Sequence, residues 1–235
     1  MGTMFAFAAI VLLASILQVS TGFGFSIMAT PFLLMIFLPN EAIQINIILS
    51  LLISVSLIWK IRHDIDIRLL KRVVVGSIAG VPLGILVFMT MDINALKLGL
   101  GVLLLLLTLL LMCNFKIQRT SARDFVVGGL SGVLTTSIGM PGPPLLLYFT
   151  GTDTEKSKLR ATTLAFYLFI YAISLMSQTV FAGTNQTVWT SSLLAIPMVF
   201  LGLFLGQIVF KWLNPRIFKV LTYILLVSTG IYLLL

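Results

Sequence analysis

The chain has 235 residues, 59% of them hydrophobic and only 9% charged, with a mean hydropathy of +1.15. Soluble domains carry about 25% charged residues, so this composition excludes a soluble fold. Its 15 basic and 7 acidic residues are also clustered: none precedes Glu41, and 73–91, 125–152 and 161–210 contain none. Such stretches read as transmembrane helices, which need roughly 20 apolar residues each. A membrane barrel would alternate over strands of about 10 residues, and segments such as 102–112 do not alternate. The expected class is an all-α polytopic membrane protein.

The apolar amino terminus is expected to be a membrane segment rather than a secretory signal, since no basic region precedes Phe5 and no small-residue cleavage motif follows. Apolar runs and their breakers predict ten helices, at 4–20, 25–38, 42–59, 73–90, 95–113, 125–138, 144–150, 160–182, 191–210 and 217–235. Two of these are too short to span alone, and each adjoins a break rich in glycine or proline. The breaks are Thr21-Gly-Phe-Gly-Phe-Ser26 and Gly139-Met-Pro-Gly-Pro-Pro144. They fall at equivalent places in a duplicated sequence. Pro31-Phe-Leu-Leu matches Pro144-Leu-Leu-Leu at an offset of 113, and 80–97 matches 202–219 with six identities in 18 positions. The units are 1–115 and 124–235, within one membrane domain.

Charge sets the expected orientation. The net charge of +8 does not point to nucleic acid, because the basic residues sit in short loops, where cytoplasmic retention accounts for them. If each broken pair is a hairpin, loops 60–72, 114–124, 151–160 and 211–219 all face the cytoplasm with 14 of the 15 basic residues, and only Lys97 lies outside. Both termini are then extracytoplasmic. Each repeat is one hairpin plus three full spans, an odd number, so the second repeat is inserted upside down. Inverted repeats with interrupted helices are the architecture of secondary transporters, whose substrate sits near the midplane. The lone Cys113 cannot form an internal disulfide and suits a reducing compartment.

A helix broken in the bilayer exposes unpaired N–H groups, which is tolerable only where the break is buried or lines a cavity. The partial positive charge of a helix N-terminus there suits an anion, and Pro31 and Pro144 stand where such N-terminal turns could begin. The substrate-binding candidates are therefore Ser20, Thr21, Gly22, Gly24 and Ser26 in one half, and Thr135, Thr136, Ser137, Gly139 and Gly142 in the other. The bland alternative is that these are kinks between packed helices. Arg160, the last basic residue before fifty uncharged positions, either holds an anion or anchors the interface. Asn46 is its counterpart in the first repeat. Gln18, Gln178 and Gln207 line a pore or simply bond neighbouring helices. Gly76, Gly80 and Gly84, Gly128 with Gly132, and Gly202 with Gly206 recur every four residues and read as packing faces. His63 reads as solvated. No metal cluster is expected, and no ionisable group is expected at the middle of a span, so no proton relay is visible.

These duplicated hairpins resemble those of the TauE/SafE family of sulfite exporters, also called the toluene-sulfonate uptake permeases. The likeness rests on Thr21-Gly-Phe-Gly-Phe-Ser with Ala29-Thr-Pro31, and on Gly129-Leu-Ser-Gly132, the 139–144 motif and Leu159-Arg-Ala-Thr162. The first hairpin departs from the commoner family form, which has a denser glycine cluster. The resemblance implies a permease of the cytoplasmic membrane for sulfite, an organosulfonate or another sulfur oxyanion, driven by secondary transport. It needs no cofactor; a proton or sodium ion is the expected coupling ion, and a homo-oligomer is possible. The sequence agrees on a carrier, since no phosphate-binding loop of the Gly-x-x-x-x-Gly-Lys-Ser/Thr type occurs. Two alternatives stand beside it. One is a passive anion channel; the other is an intramembrane lipid-pyrophosphate phosphatase, disfavoured because the hairpins carry no carboxylate or histidine.

Overall fold

The computed structural model describes residues 2–90, 92–112, 116–212 and 215–234. The order is α1 (Gly2–Thr21), α2 (Phe25–Leu33), α3 (Pro39–Ile61), a 3₁₀ turn (Arg62–Asp64), α4 (Ile67–Thr90), α5 (Ile93–Met112), α6 (Ser121–Ile138), α7 (Gly142–Gly151), α8 (Lys156–Phe181), α9 (Gln186–Trp212) and α10 (Pro215–Leu234). No strand occurs among the described residues. α1, α3, α4, α8 and α9 are each long and apolar enough to cross a membrane. Cys113 lies outside the described residues, as do the side chains of Lys97 and Lys219.

Several helices run further than predicted. α4 starts at Ile67 rather than 73, α8 at Lys156 rather than 160, and α9 spans Gln186–Trp212 rather than 191–210. Charge ends an apolar stretch but does not end a helix, so Arg68, Lys71 and Arg72 ride on the first turns of α4 instead of in a loop. Pro144 falls in the first turn of α7, as expected, but Pro31 lies inside α2. A proline at 31 cannot bond the carbonyl four residues earlier. That carbonyl, of Ile27, instead accepts a hydrogen bond from Thr229 Oγ1 on α10 at 3.1 Å, the kind of repair that lets proline persist in membrane helices.

Packing is dominated by four helix pairs: α4 on α6, α1 on α9, α5 on α10 and α3 on α8. The central helix is α3, 61% buried over its most apolar window against 28% for α4 and α9. Glycine sets the closest crossing. A Cβ on Gly80 would strike the Gly129 carbonyl oxygen and lie 2.9 Å from the Val133 nitrogen, and those on Gly76, Gly128 and Gly132 would likewise meet backbone of the partner helix. On the other side, Gly206 would meet the Val19 side chain at 2.6 Å. The small-residue faces read from sequence are thus packing faces. Large side chains such as Phe5, Leu83, Leu106 and Phe204 are exposed on the outer surface, where lipid would cover them, and Trp59, Trp189 and Trp212 lie near helix ends, the level favoured by interfacial aromatics.

No ionisable group is expected at the middle of a span, and two that stand near helix starts are nonetheless buried. Asp124, in the first turn of α6, is fully buried. Its carboxylate accepts from Arg72 Nη1 at 3.1 Å and from the Tyr148 hydroxyl, joining α4, α6 and α7. A buried carboxylate is sustained by such partners, and at a helix N-terminus by the dipole as well. The second is Arg160, described below. At the same end Arg119 pairs with Asp66 at 2.8 Å. That guanidinium holds the Asp66 carboxyl below its ordinary value, and the pairing raises Arg119 in turn.

Candidate functional site

Each sequence break joins a long helix, α1 or α6, to a short one, α2 or α7. The first connects α1 to α2 through Gly22 (φ 87°) and Gly24 (φ 117°), left-handed conformations that suit glycine. The second follows α6, where Gly139 (φ 71°) donates to Thr135 O and Met140 N reaches Leu134 O. That pair of bonds is the Schellman arrangement that ends helices on glycine. The two breaks meet at their helix starts. A Cβ on Gly142, at the start of α7, would lie 2.8 Å from the Tyr167 hydroxyl, 3.5 Å from Phe23 Cβ and 3.7 Å from Ile27 Cδ1.

Each hairpin is held by a helix of the other half. Asn46 on α3 donates from Nδ2 to Gly139 O at 2.8 Å. Arg160 on α8 donates from Nε to Val19 O at 2.6 Å. Val19 lies in the last turn of α1, where the helix leaves carbonyls unpaired and its dipole is negative, so Arg160 caps α1. It is 7% exposed and packs its guanidinium 4.1 Å from the Phe210 ring centre. Lys156 approaches the same ring at 4.4 Å. An interfacial anchor would extend its charge into water; Arg160 does not. Its Nη2 is buried without a hydrogen-bond partner, and the first break lies against it, since a Cβ on Gly22 would come within 2.7 Å of Arg160 Cα.

The hydroxyls named from sequence divide. Ser20 bonds back to Leu17 O, Thr135 to Ser131 O and Ser137 to Val133 O, so their protons are used within their own helices. Thr21 Oγ1 instead reaches both Leu17 O and Phe23 O and accepts from Phe23 N, bridging the break. Thr136 shares a bond with Ser174 at 2.8 Å. Ser26, buried at the start of α2, faces the hydroxyl of Tyr171. Of the glutamines, Gln18 donates to Ser50 O and Gln178 to Thr136 O, whereas Gln207 lies away from the breaks, engaged by Lys60.

The two short-helix starts are chemically unequal. In α2 the N–H groups of Phe25, Ser26 and Ile27 precede the first intrahelical bond, from Met28 N to Gly24 O, and so offer donors to an anion. In α7 Pro143 and Pro144 occupy the first turn and have no N–H to give. The starts of α2 and α7 are thus unequal as sources of N–H donors, although the two breaks fall at equivalent sequence positions. The prolines were visible in the sequence.

Sequence reasoning also passed over Thr163, Tyr167 and Tyr171. All three are buried, and their hydroxyls are without partners. Their spacing with Arg160 repeats at three to four residues, a signal that helical periodicity would have revealed. Among the described residues no group of three or more His, Cys, Asp or Glu could hold a metal ion.

A comparison with curated proteins and one with solved structures give no match. The model of the sulfite exporter TauE/SafE family matches residues 7–233, and the chain, matched over nearly its full length, belongs to that family.

Proposed function

We propose that the protein is a secondary transporter that carries sulfite, an organosulfonate or another small sulfur oxyanion across the cytoplasmic membrane by alternating access between inverted repeats. The observation that carries the reading is Arg160: a buried cation with an unpartnered Nη2 beside the helix break. Burying a charge in a membrane protein is costly and generally marks function. The Arg160 guanidinium and the first-turn N–H groups of α2 suit a small anion.

The helix pairing supports the inverted repeat. Exchanging α1–α5 with α6–α10 turns the α4–α6 pair into α9–α1 and leaves α3–α8 and α5–α10 as they are. In this reading the basic loops face the cytoplasm, both termini lie outside, and the site opens to each side in turn as the halves rock.

The test is ligand-dependent stability with flux. The purified protein is heated with sulfite, thiosulfate, taurine, sulfoacetate and methanesulfonate in turn, and labelled sulfite counterflow is followed in proteoliposomes. Binding to the native state alone adds about 2.7 kcal/mol at a hundred times the dissociation constant. Stabilisation by at least one of these anions, with saturable counterflow, is the expected result. No stabilisation by any of them, or a flux that rises linearly without saturation, would overturn the carrier reading.

A further inference from the structure

Arg160, Thr163, Tyr167, Tyr171, Ser174 and Gln178 follow one another along α8 at intervals of three or four residues. At 100° per residue they fall within an arc of about 80°, and at 1.5 Å per residue they extend over about 27 Å, close to the ~30 Å hydrocarbon thickness of a bilayer. All six are buried. Five present a polar atom without a partner in the protein: Arg160 Nη2, Thr163 Oγ1, the Tyr167 and Tyr171 hydroxyls and Gln178 Oε1. Ser174 shares its bond with Thr136 at the second hairpin.

Several hydroxyls elsewhere in the helices are satisfied locally, although those of Ser15, Thr30, Ser50, Ser131 and Ser192 are also buried without partners. Ser54, Thr108, Thr135 and Ser137 each return a bond to the carbonyl four residues earlier, the usual way such groups are satisfied inside a helix. Thr163 leaves its hydroxyl unused, and a tyrosine hydroxyl is held too far from its own backbone to do the same. An unmet buried polar group costs free energy each time. Other buried atoms without partners occur on α1, α2, α3, α6 and α9, but five fall in one file along α8, which indicates a surface that is met by something passing along it.

The two ends of the file agree. At one end lie Arg160 and Lys156 around Phe210. At the other, just beyond Gln178, is a pocket of about 200 Å³ whose walls include Glu41, Gln44, Gly183 and Asn185. Gln44 Oε1 there is also buried and unpartnered. Midway, Tyr167 meets the start of α7 at Gly142, and Tyr171 faces Ser26 at the start of α2 and Ser50 on α3.

We propose that this face of α8 is the translocation path: an anion enters at Arg160, exchanges hydrogen bonds with Thr163, Tyr167 and Tyr171 where the two hairpins meet, and leaves past Gln178 into the pocket at Gln44. The proposal rests on the carrier reading and names the residues that serve it. Tyrosine hydroxyls are suited to the task, because each donates to an oxyanion without a permanent charge that would trap it.

The experiment separates the path from the substrate. Single cysteines at 163, 167, 171 and 174, and at the buried off-face positions 164 and 166, are placed in a Cys113→Ser background and reconstituted. Each is treated with 2-sulfonatoethyl methanethiosulfonate, a water-soluble thiol reagent that is itself a sulfonate. The on-face cysteines should react faster by about an order of magnitude or more, because modification requires water access and the thiolate. Sulfite should protect 167 and 171. In parallel Tyr167→Phe and Tyr171→Phe, which keep the rings and remove only the oxygens, should each lower sulfite counterflow by roughly tenfold, while the exposed Thr179→Ala leaves it unchanged. Sulfite transport with no preferential labelling of the α8 face, or with full activity in both phenylalanine variants, would overturn the path and leave the carrier reading standing. Preferential labelling with neither sulfite protection nor sulfite flux would instead retain a water-filled path and overturn the sulfite substrate.

Discussion

Replacing Arg160 with glutamine separates two jobs done by one side chain. The first is structural: the guanidinium caps α1 through Val19 O at 2.6 Å and rests on Phe210. A hydrogen bond to a charged group contributes about 1.5–3 kcal/mol, so ligand-free Arg160→Gln should melt lower than the wild type. The second, under the proposed function, is to hold the anion through Nη2. If that contact is worth the same 1.5–3 kcal/mol, the dissociation constant rises about 10- to 150-fold. Sulfite at a hundred times the wild-type constant adds about 2.7 kcal/mol to the wild type. For the variant at the same concentration the same relation gives only about 1.4 to 0.3 kcal/mol. The readout is therefore the sulfite-induced rise in melting temperature, not the melting temperature itself. Because Arg160 is only 7% exposed, the difference should persist at high salt, which screens buried charges poorly. A variant that melts lower but gains as much from sulfite as the wild type would show that Arg160 only caps α1.

Three further outcomes follow from the geometry. Gly80→Val should sharply reduce folded protein in size-exclusion chromatography, because its side chain would strike the backbone of α6, whereas Gly99→Val, with no atom within 4 Å of its Cβ, should not. Gly139→Val and Gly24→Val should insert normally yet lose sulfite counterflow: each forces a β-branched residue to a positive φ, at a cost of about 1–3 kcal/mol, and at Gly139 the Cβ also comes within 2.6 Å of Asn46 Nδ2. Asp66 is ionised in the fold to a lower pH than in the unfolded chain, so its pairing with Arg119 stabilises above the unfolded value and is lost as pH falls through the folded one; in Asp66→Asn the wild type's extra loss of stability on acidification below about pH 4 should disappear, a difference of about 0.2–1 kcal/mol for a pair this exposed.

The parts of the molecule that were legible in the sequence are those governed by a long repeat of one property. Apolar runs located all ten helices, and the glycine spacing at 76, 80 and 84 identified the closest crossing, because each signal sums over many residues. Helix ends were read less well, since the clue used was loss of hydropathy. Arg68 and Lys158 are as compatible with helix as the leucines beside them. Pro31 shows a different limit. Its place within α2 depends on Thr229, about two hundred residues away, accepting the task of bonding Ile27 O. The site was half visible. Glycines with positive φ stand where the breaks were placed, but the polar file on α8 was hidden inside an apolar-looking stretch. Tyr167 and Tyr171 count as aromatic, and only tertiary contact reveals that their oxygens are left over.

The cross-ties give the glycines two distinct meanings. Gly80 and Gly132 sit where backbone meets backbone, so their crossing can slide or turn only as a rigid pair. Gly22 and Gly139 sit beside the two polar ties to the other half: Gly22 packs on Arg160, whose Nε bonds Val19 O, and Gly139 O accepts from Asn46. A contact of the first kind stores its stability in close packing, which has one good arrangement. A contact of the second kind is a hydrogen bond between a carbonyl and a long or rotatable side chain, which can be exchanged for one to a ligand or to water at little net cost. In an alternating-access carrier the glycine crossings would therefore move as bodies, and the two cross-ties are the places where those bodies let go.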